Sequence, residues 1–317
     1  MSCILMKNRP FLKGILNHCY QRSANGGLIF YCQRDYLVWF TTVCIAASRH
    51  HVKVLALCPM PDHTHMSVIA DSVQQLSAFM GEANRSYSYA QNKVCNTKIS
   101  WFEHTFGSAV KKGPKDARSN LVYVGNNPVE RQMAVNAEDY RWTFVAYAQS
   151  DHPFSDKLVI RNASWHMKNA IREVRAQRRM DKPLNECQLK RIMAKLDDRE
   201  RQQLTDFIIT AYNVINYTET LRYFDGKYDN YLMALHNTTG HEYDLNETFV
   251  GRSDAHYATM VNTLLSEKHL ADIHDFLSWP AEERKRLIPL LRRNTKATDR
   301  QIYKFLHLLP KTSVMRK

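Results

Sequence analysis

Two apolar runs lie so close together in this chain that few arrangements can join them. They cover residues 52–57 and 66–70, and only residues 58–65 separate them. Parallel neighbouring strands need a crossover of about a dozen residues or more, usually a helix. We therefore expect two antiparallel strands joined by a tight turn, which disfavours a parallel, doubly wound sheet.

The order of the other apolar patterns extends this pair into a sheet. Residues 15–21 are typical of a strand, and after turn residues at 23–27 the segment 35–50 has apolar residues at helical spacing. A second helical pattern covers 71–93, and 101–110 indicates a loop and a strand. This β-α-β-β-α-β order predicts an α+β fold, namely a ferredoxin-like plait with an antiparallel sheet and helices on one side.

The second strand of the close pair contains a His-x-His motif. His63 and His65 would project from one face of a strand, about 6–7 Å apart along it, which suits two imidazoles that bind one divalent metal ion. The ordinary alternative is one exposed histidine and one core histidine. A third helical pattern, 116–126, stops at Asn127 and Pro128, and it places Tyr123 one turn before Asn127.

Two motifs together resemble a known family. Residues 60–66 read Met-Pro-Asp-His-Thr-His-Met, and residues 123–129, some sixty positions later, read Tyr-Val-Gly-Asn-Asn-Pro-Val. The pair is similar to the signature of the single-tyrosine HUH transposases, which act on single-stranded DNA, and most similar to their REP-associated branch. Residues 140–147 are similar to the segment that closes the family domain, so the resemblance covers about residues 10–150.

This resemblance implies a site and a reaction. It makes His63, His65 and Asn127 the ligands of a divalent ion, Mg²⁺ or Mn²⁺. It makes Tyr123 the nucleophile that forms a 5′-phosphotyrosine bond, with single-stranded, hairpin-bearing DNA as the implied substrate.

The chain also departs from the family pattern. Asp62 precedes the first histidine, Thr64 stands between the two, and Gly125 leads us to expect a looser end of the tyrosine helix. The family offers no catalytic role for His18 or His104, so we expect both to be structural.

Charge points to a polyanionic partner. Lys and Arg number 44 against 31 Asp and Glu, a net charge of +13, which favours nucleic acid over an anionic membrane surface. Thr298 and Gln301 predict the N-terminal cap of a last helix in a basic, helix-turn-helix-like end. The candidate DNA-binding residues are Lys111, Lys112, Lys115 and Arg118 before the tyrosine, and Arg300 and Lys304 in that last helix.

These patterns divide the chain into three expected parts: an HUH nuclease domain at 1–150, an all-α helical extension at 151–265, and the basic helix-turn-helix-like tail at 266–317. Aromatic residues between 212 and 257 either form the core of the extension or stack on unpaired bases. Seven scattered cysteines and the absence of a signal-peptide pattern favour the cytoplasm, with the protein on the nucleoid and not in a membrane. A homodimer is compatible with this organisation.

The first functional hypothesis is a metal-dependent tyrosine DNA endonuclease and transposase. A DNA-binding regulator that keeps the fold without the chemistry is the alternative. An RNA-processing phosphodiesterase is the third hypothesis.

Overall fold

The computed structural model describes residues 11–237 and 253–309 of the chain. The four strands in these residues are β1 (Leu16–Arg22), β2 (Lys53–Met60), β3 (His63–Ile69) and β4 (Gly107–Val110). The α-helices are α1 (Gln33–Arg49), α2 (Val73–Val94), α3 (Pro114–Glu130), α4 (Trp165–Arg179), α5 (Glu186–Met193), α6 (Asp198–Tyr212), α7 (Tyr217–Arg222), α8 (Tyr228–Asn237), α9 (His256–Glu267), α10 (Ala281–Lys285), α11 (Ile288–Asn294) and α12 (Asp299–Phe305).

The strands form one sheet in the order β2-β3-β1-β4, and all neighbours are antiparallel. The predictions of an α+β chain and an antiparallel sheet are therefore confirmed. Met60 pairs with His63, so Pro61 and Asp62 form the tight turn between β2 and β3. The carbonyl oxygen of Pro61 accepts hydrogen bonds from the backbone N–H groups of Ile29 (2.7 Å) and Phe30 (3.1 Å). This ties the turn to the segment that precedes α1.

The sheet is covered on both faces. On one face, Leu57 and Val68 belong to the hydrophobic cluster of α1 and α2. On the other face, Cys58 and Ile69 pack beneath α3. Alternation along β3 places every second residue from His63 to Ile69 on the α3 side. The histidines therefore lie between the sheet and α3.

The tyrosine helix does not end where the proline predicted. α3 continues past Pro128 to Glu130, because packing against β2, β3 and α8 supports its last turn. Gly125 does not loosen it either. A Cβ atom at Gly125 would lie 2.7 Å from Cδ2 of Leu235 on α8, so this glycine permits close contact between the two helices.

The residues after 150 continue the core of the first part. α4, α5 and α6 pack together and against α1, and their buried side chains join the same hydrophobic cluster. Asp206 on α6 accepts hydrogen bonds from Tyr147 Oη (2.6 Å), the Phe154 backbone N–H (3.1 Å) and Ser155 Oγ (2.8 Å). The segment around residue 151 is thus fixed on α6. Several aromatic residues of the extension are buried core residues: Tyr212, Phe224, Tyr231 and Tyr257.

The final helices dock on the segment before α1. Tyr31 Oη donates to the Phe305 carbonyl oxygen at 2.7 Å, and the two rings meet edge to face. Thr298 caps α12 by accepting from the Gln301 N–H at 3.3 Å, while Gln301 Oε1 accepts from the Thr298 N–H, which confirms the predicted capping box. None of the described helices is both long enough and apolar enough to span a membrane.

Candidate active site

The His-x-His pair lies on β3, an inner strand of the sheet. The rings of His63 and His65 meet edge to face with centroids 4.8 Å apart, and the residues are 7% and 0% exposed. The neighbouring strand β1 adds His18, whose ring stacks on His65 at a centroid distance of 5.2 Å. A buried cluster of three imidazoles results.

In the described part of the chain, each histidine of the pair has one ring nitrogen bound to a neighbour and the other without a hydrogen-bond partner. His63 Nδ1 lies 2.6 Å from Asp62 Oδ1, and His65 Nδ1 lies 3.0 Å from His18 Nε2. Both Nε2 atoms are buried, and neither has a hydrogen-bond partner within residues 11–237 and 253–309. With the proton on Nδ1, each ring presents its Nε2 lone pair, the form in which imidazole binds metals.

Burial keeps two of these three histidines uncharged. Desolvation, followed by the positive charge of Lys111, lowers the pKa of His18 to about 3. Desolvation, followed by the effects of His63 and His18, lowers the pKa of His65 well below its usual value. His18 and His65 are therefore neutral at physiological pH, and Nε2 of His65 keeps a lone pair that can accept a cation.

The predicted nucleophile approaches from α3. The Tyr123 ring meets His65 and His18 edge-on, with centroid distances of 5.3 and 5.5 Å, and the residue is 4% exposed. The structure thus brings Tyr123 and both predicted histidine ligands into one cluster. Asn127 is also buried on α3, and its Nδ2 donates to the Tyr123 carbonyl oxygen at 2.9 Å. In the described part of the chain, no hydrogen bond joins Asn127 to either histidine.

The C-terminal helix reaches the same site. Lys304 on α12 forms an ion pair with Asp62. Burial alone would raise the pKa of the Asp62 carboxyl, but His63 and Lys304 together lower it well below its usual value. Asp62 is therefore ionised and connects the first histidine to the tail. Asp254, before α9, adds a second carboxyl, and burial followed by the charge of Asp62 raises its pKa to about 6.

The predicted basic residues lie in different places. Lys115 and Arg118 line a surface groove of about 530 Å³, which Glu219, Arg222 and Tyr223 of the extension complete. The carboxylate of Glu219 is ion-paired at 3.2 Å with a lysine of β2, so the groove presents a surplus of positive charge. The remaining candidates are Lys112 and Arg300, which are exposed, and Lys111, which is half-buried near His18.

A second group has the spacing of a metal site but not its chemistry. Ligand atoms of Cys32, Glu186 and His274 lie within 4.8 Å of one another. The ring nitrogens of His274, however, are bound to Asp35 (2.9 Å) and Asp272 (2.6 Å), and an arginine of α1 pairs with Glu186. Burial opposes the charge on His274, but the two aspartates raise its pKa to about 10. We conclude that this group is an ion-pair network.

Two contacts of the candidate site, those of His18 with His65 and of Lys304 with Asp62, were not predicted from the sequence. His18 was expected to be structural, yet it contacts His65. The pairing register of β1 and β3 would have indicated this contact. Tyr20 pairs with His65, and His18 lies two residues from Tyr20 on the same face of the sheet. The contact of Lys304 with Asp62 spans 242 positions of sequence, and no local pattern indicates it. His104 is exposed and lies outside the cluster.

Comparison with known proteins gives little beyond this geometry. No protein-family model matches the chain, and no curated protein matches it. The chain is similar to a solved structure of a REP-associated tyrosine transposase bound to a REP hairpin, at 16% identity over 47% of this chain and 85% of the other. The TM-score of 0.38 makes this a distant likeness, too weak to establish a shared fold.

Proposed function

We propose that this chain is a metal-dependent endonuclease and strand transferase for single-stranded DNA, of the single-tyrosine HUH transposase type. One observation carries the proposal: Tyr123 lies against His65, in a cluster where His63 and His65 each have a buried Nε2 with no hydrogen-bond partner among the described residues. The strand order, with α1 and α2 as crossovers on one face, supports a ferredoxin-like plait around this cluster.

The donor set fits a divalent cation. His63 and His65 would provide imidazole nitrogens, and Asn127 would provide its amide oxygen. Mixed nitrogen and oxygen ligands favour Mn²⁺, whereas cellular abundance favours Mg²⁺. When bound, such an ion polarises the scissile phosphate and stabilises the negative charge that develops there.

The chemistry of the chain itself lies with Tyr123. Its phenolic oxygen attacks phosphorus and loses its proton, while the bond from phosphorus to the 3′ oxygen breaks and that oxygen gains a proton. The products are a 5′-phosphotyrosine ester and a 3′-OH end. The ester preserves the bond energy, so a later 3′-OH can rejoin the strand without ATP. The ring contacts the histidines of its own chain, which favours attack within one subunit.

Surface charge supports a DNA strand as the substrate. Lys115, Arg118 and Arg222 face one groove at the beginning of the tyrosine helix, where they can neutralise successive phosphates. Tyr223 in the same groove offers a ring for stacking. The three short helices α10 to α12 support a helix-turn-helix-like end, from which Arg300 extends into solvent. A hairpin DNA with a short single-stranded extension suits these features.

A denaturing gel tests the proposal. The purified chain is incubated with labelled, hairpin-bearing single-stranded DNA and Mn²⁺, and a covalent protein–DNA adduct is the expected product. Tyr123→Phe should abolish the adduct without abolishing DNA binding. Tyr89→Phe, at an exposed position on α2, is the matched control and should leave the adduct intact. An adduct that persists in Tyr123→Phe would refute the assignment of the nucleophile.

A second function is favoured by the closure of the site. Tyr123 and both histidines are nearly inaccessible to solvent, and the neighbouring carboxylate of Asp62 is ion-paired with Lys304. A DNA-binding regulator without catalytic activity would have such a site. This alternative predicts hairpin binding with neither adduct formation nor Mn²⁺ binding. An RNA-processing phosphodiesterase, by contrast, would lose activity on a 2′-deoxy substrate.

A further inference from the structure

A cavity of about 320 Å³ opens beside the candidate active site. It lies between the segment before α1, the turns at 137–143 and the beginning of α9. Pro61, which immediately precedes Asp62, forms part of its wall. The cavity therefore adjoins the turn that carries Asp62 and leads to the first histidine. Its volume is at the lower end of the roughly 300–1,000 Å³ of cavities that bind small ligands.

Aromatic side chains form much of the wall. Tyr36 stacks on Trp142 with centroids 4.7 Å apart, and on Phe30 with centroids 4.6 Å apart. Tyr140 and Tyr257 also line the cavity. Rings packed in this way are rigid, and an aromatic wall of this kind suits a planar, aromatic ligand.

The polar groups of the cavity narrow the choice of ligand. Asp254 is 5% exposed, and its Oδ2 is buried without a hydrogen-bond partner among the described residues. The Arg131 guanidinium is 3.9 Å from this oxygen, beyond hydrogen-bond distance. A buried carboxylate oxygen without a donor is unfavourable, so a ligand that donates N–H groups would bind strongly. Guanine offers two adjacent N–H donors on its Watson–Crick edge.

We propose that this cavity binds one unpaired guanine of the DNA strand held at the candidate active site, with Asp254 accepting hydrogen bonds from the base. The inference rests on the proposed function, because a strand at the histidines would lie next to Pro61. Asp254 and the first turns of α9 come from the part of the chain after residue 150. That part would then contribute to the choice of cleavage sequence.

Fluorescence anisotropy without divalent ions tests the cavity separately from cleavage. The probes are labelled oligothymidine strands with one central guanosine, inosine or abasic position. The guanosine strand should bind roughly tenfold more tightly than the abasic strand, since stacking and one hydrogen bond to a charged group each contribute enough for such a factor. Inosine lacks the exocyclic amino group and should fall between the two.

Two variants connect this preference to the cavity. Asp254→Asn should reduce the preference for guanosine at least fivefold and leave the abasic strand unchanged. Ala258→Trp, at an exposed position of the cavity wall, should remove the preference by filling the space. Thr259→Trp, the next and equally exposed residue, does not line the cavity and is the control. Thermal melts of each variant confirm folding.

The outcomes separate the two proposals. Equal binding of the guanosine and abasic strands by the wild type would overturn the cavity assignment, as would a preference that survives both Asp254→Asn and Ala258→Trp. Displacement of the guanosine strand by an equal concentration of free guanosine monophosphate would also overturn it, in favour of a nucleotide site. A guanosine preference without any Tyr123 adduct would refute only the proposed cleavage activity.

Discussion

Replacement of Asp62 by asparagine tests whether the Asp62 carboxylate orients His63 for binding of a divalent cation. Asp62 Oδ1 accepts the His63 Nδ1 proton at 2.6 Å. A hydrogen bond to a charged group contributes about 1.5–3 kcal/mol, and one between neutral groups about 0.5–1.5 kcal/mol. Loss of the charge should therefore weaken Mn²⁺ binding by about 1–1.5 kcal/mol, or roughly five- to twelvefold. This loss is at the lower end of the roughly 10–100-fold that follows removal of a group that orients a metal ligand, because asparagine keeps an oxygen that can accept from His63.

Isothermal titration with MnCl₂ measures this change directly. Asp71→Asn, at an exposed position just after β3, removes the same charge and should leave the affinity unchanged. If Asp62→Asn binds Mn²⁺ as tightly as the wild type, the carboxylate does not support the ligand and the reasoning is wrong.

A companion variant separates metal binding from stability. Asp62→Asn also leaves the half-buried Lys304 ammonium without its charge partner, which should lower the melting temperature. Lys304→Met in the same chain removes the unpaired charge and should restore the melting temperature. The Mn²⁺ affinity should stay low in this double variant, because His63 still lacks the carboxylate.

Three further predictions concern other parts of the molecule. Lys115→Ala with Arg118→Ala should weaken binding of single-stranded DNA and reduce the slope of log affinity against log salt by about 1.4, or about 0.7 for each phosphate contact. The pKa of His274 is raised to about 10, so its stabilising contribution is complete below pH 6.5 and lost as the pH rises through 10. Thermal melts of His274→Gln should show a smaller loss over this range. Gly125→Ala should lower the free energy of unfolding in urea by roughly 1–3 kcal/mol, because its Cβ would lie 2.7 Å from Leu235.

Each of these predictions has its own control. Lys93→Ala with Lys98→Ala removes two exposed charges outside the groove and should leave the salt slope unchanged. Identical pH profiles for the wild type and His274→Gln would contradict the ion-pair account of that network. Leu235→Ala should relieve most of the cost of Gly125→Ala. Without that relief, the contact between α3 and α8 would not be the cause.

Local patterns predicted the sheet well. The short spacing between β2 and β3 permitted only an antiparallel pair, and alternation along β3 placed His63 and His65 on one face. Thr298 and Gln301 form the predicted cap because such hydrogen bonds depend on residues three apart. The prediction that α3 ends at Pro128 was wrong. The proline costs the helix one backbone hydrogen bond, but packing on both sides of α3 outweighs that cost, and local sequence does not reveal this packing.

The supports of the candidate site lie beyond local prediction. His18 depends on strand register, which the hydrophobic pattern alone leaves open. Asp254 and Lys304 approach Asp62 from the other end of the chain, through the docking of α9 and α12. The positive charge of Lys304 was the basis for predicting a DNA contact. The ion pair of Lys304 with Asp62 depends on tertiary packing, and the DNA contact stays a prediction.

The ion pair between Asp62 and Lys304 also has a consequence for biosynthesis. The two residues are 242 positions apart, and a ribosome adds roughly 5–20 residues per second. Asp62 is therefore added to the chain roughly 12–50 seconds before its partner. Once residues up to the end of α3 have also left the ribosome and folded, His63 and its carboxylate exist without the tail, so the histidine site of the nascent chain stays open until the tail is made. Translation speed through the second half of the message would set how long that site stays open.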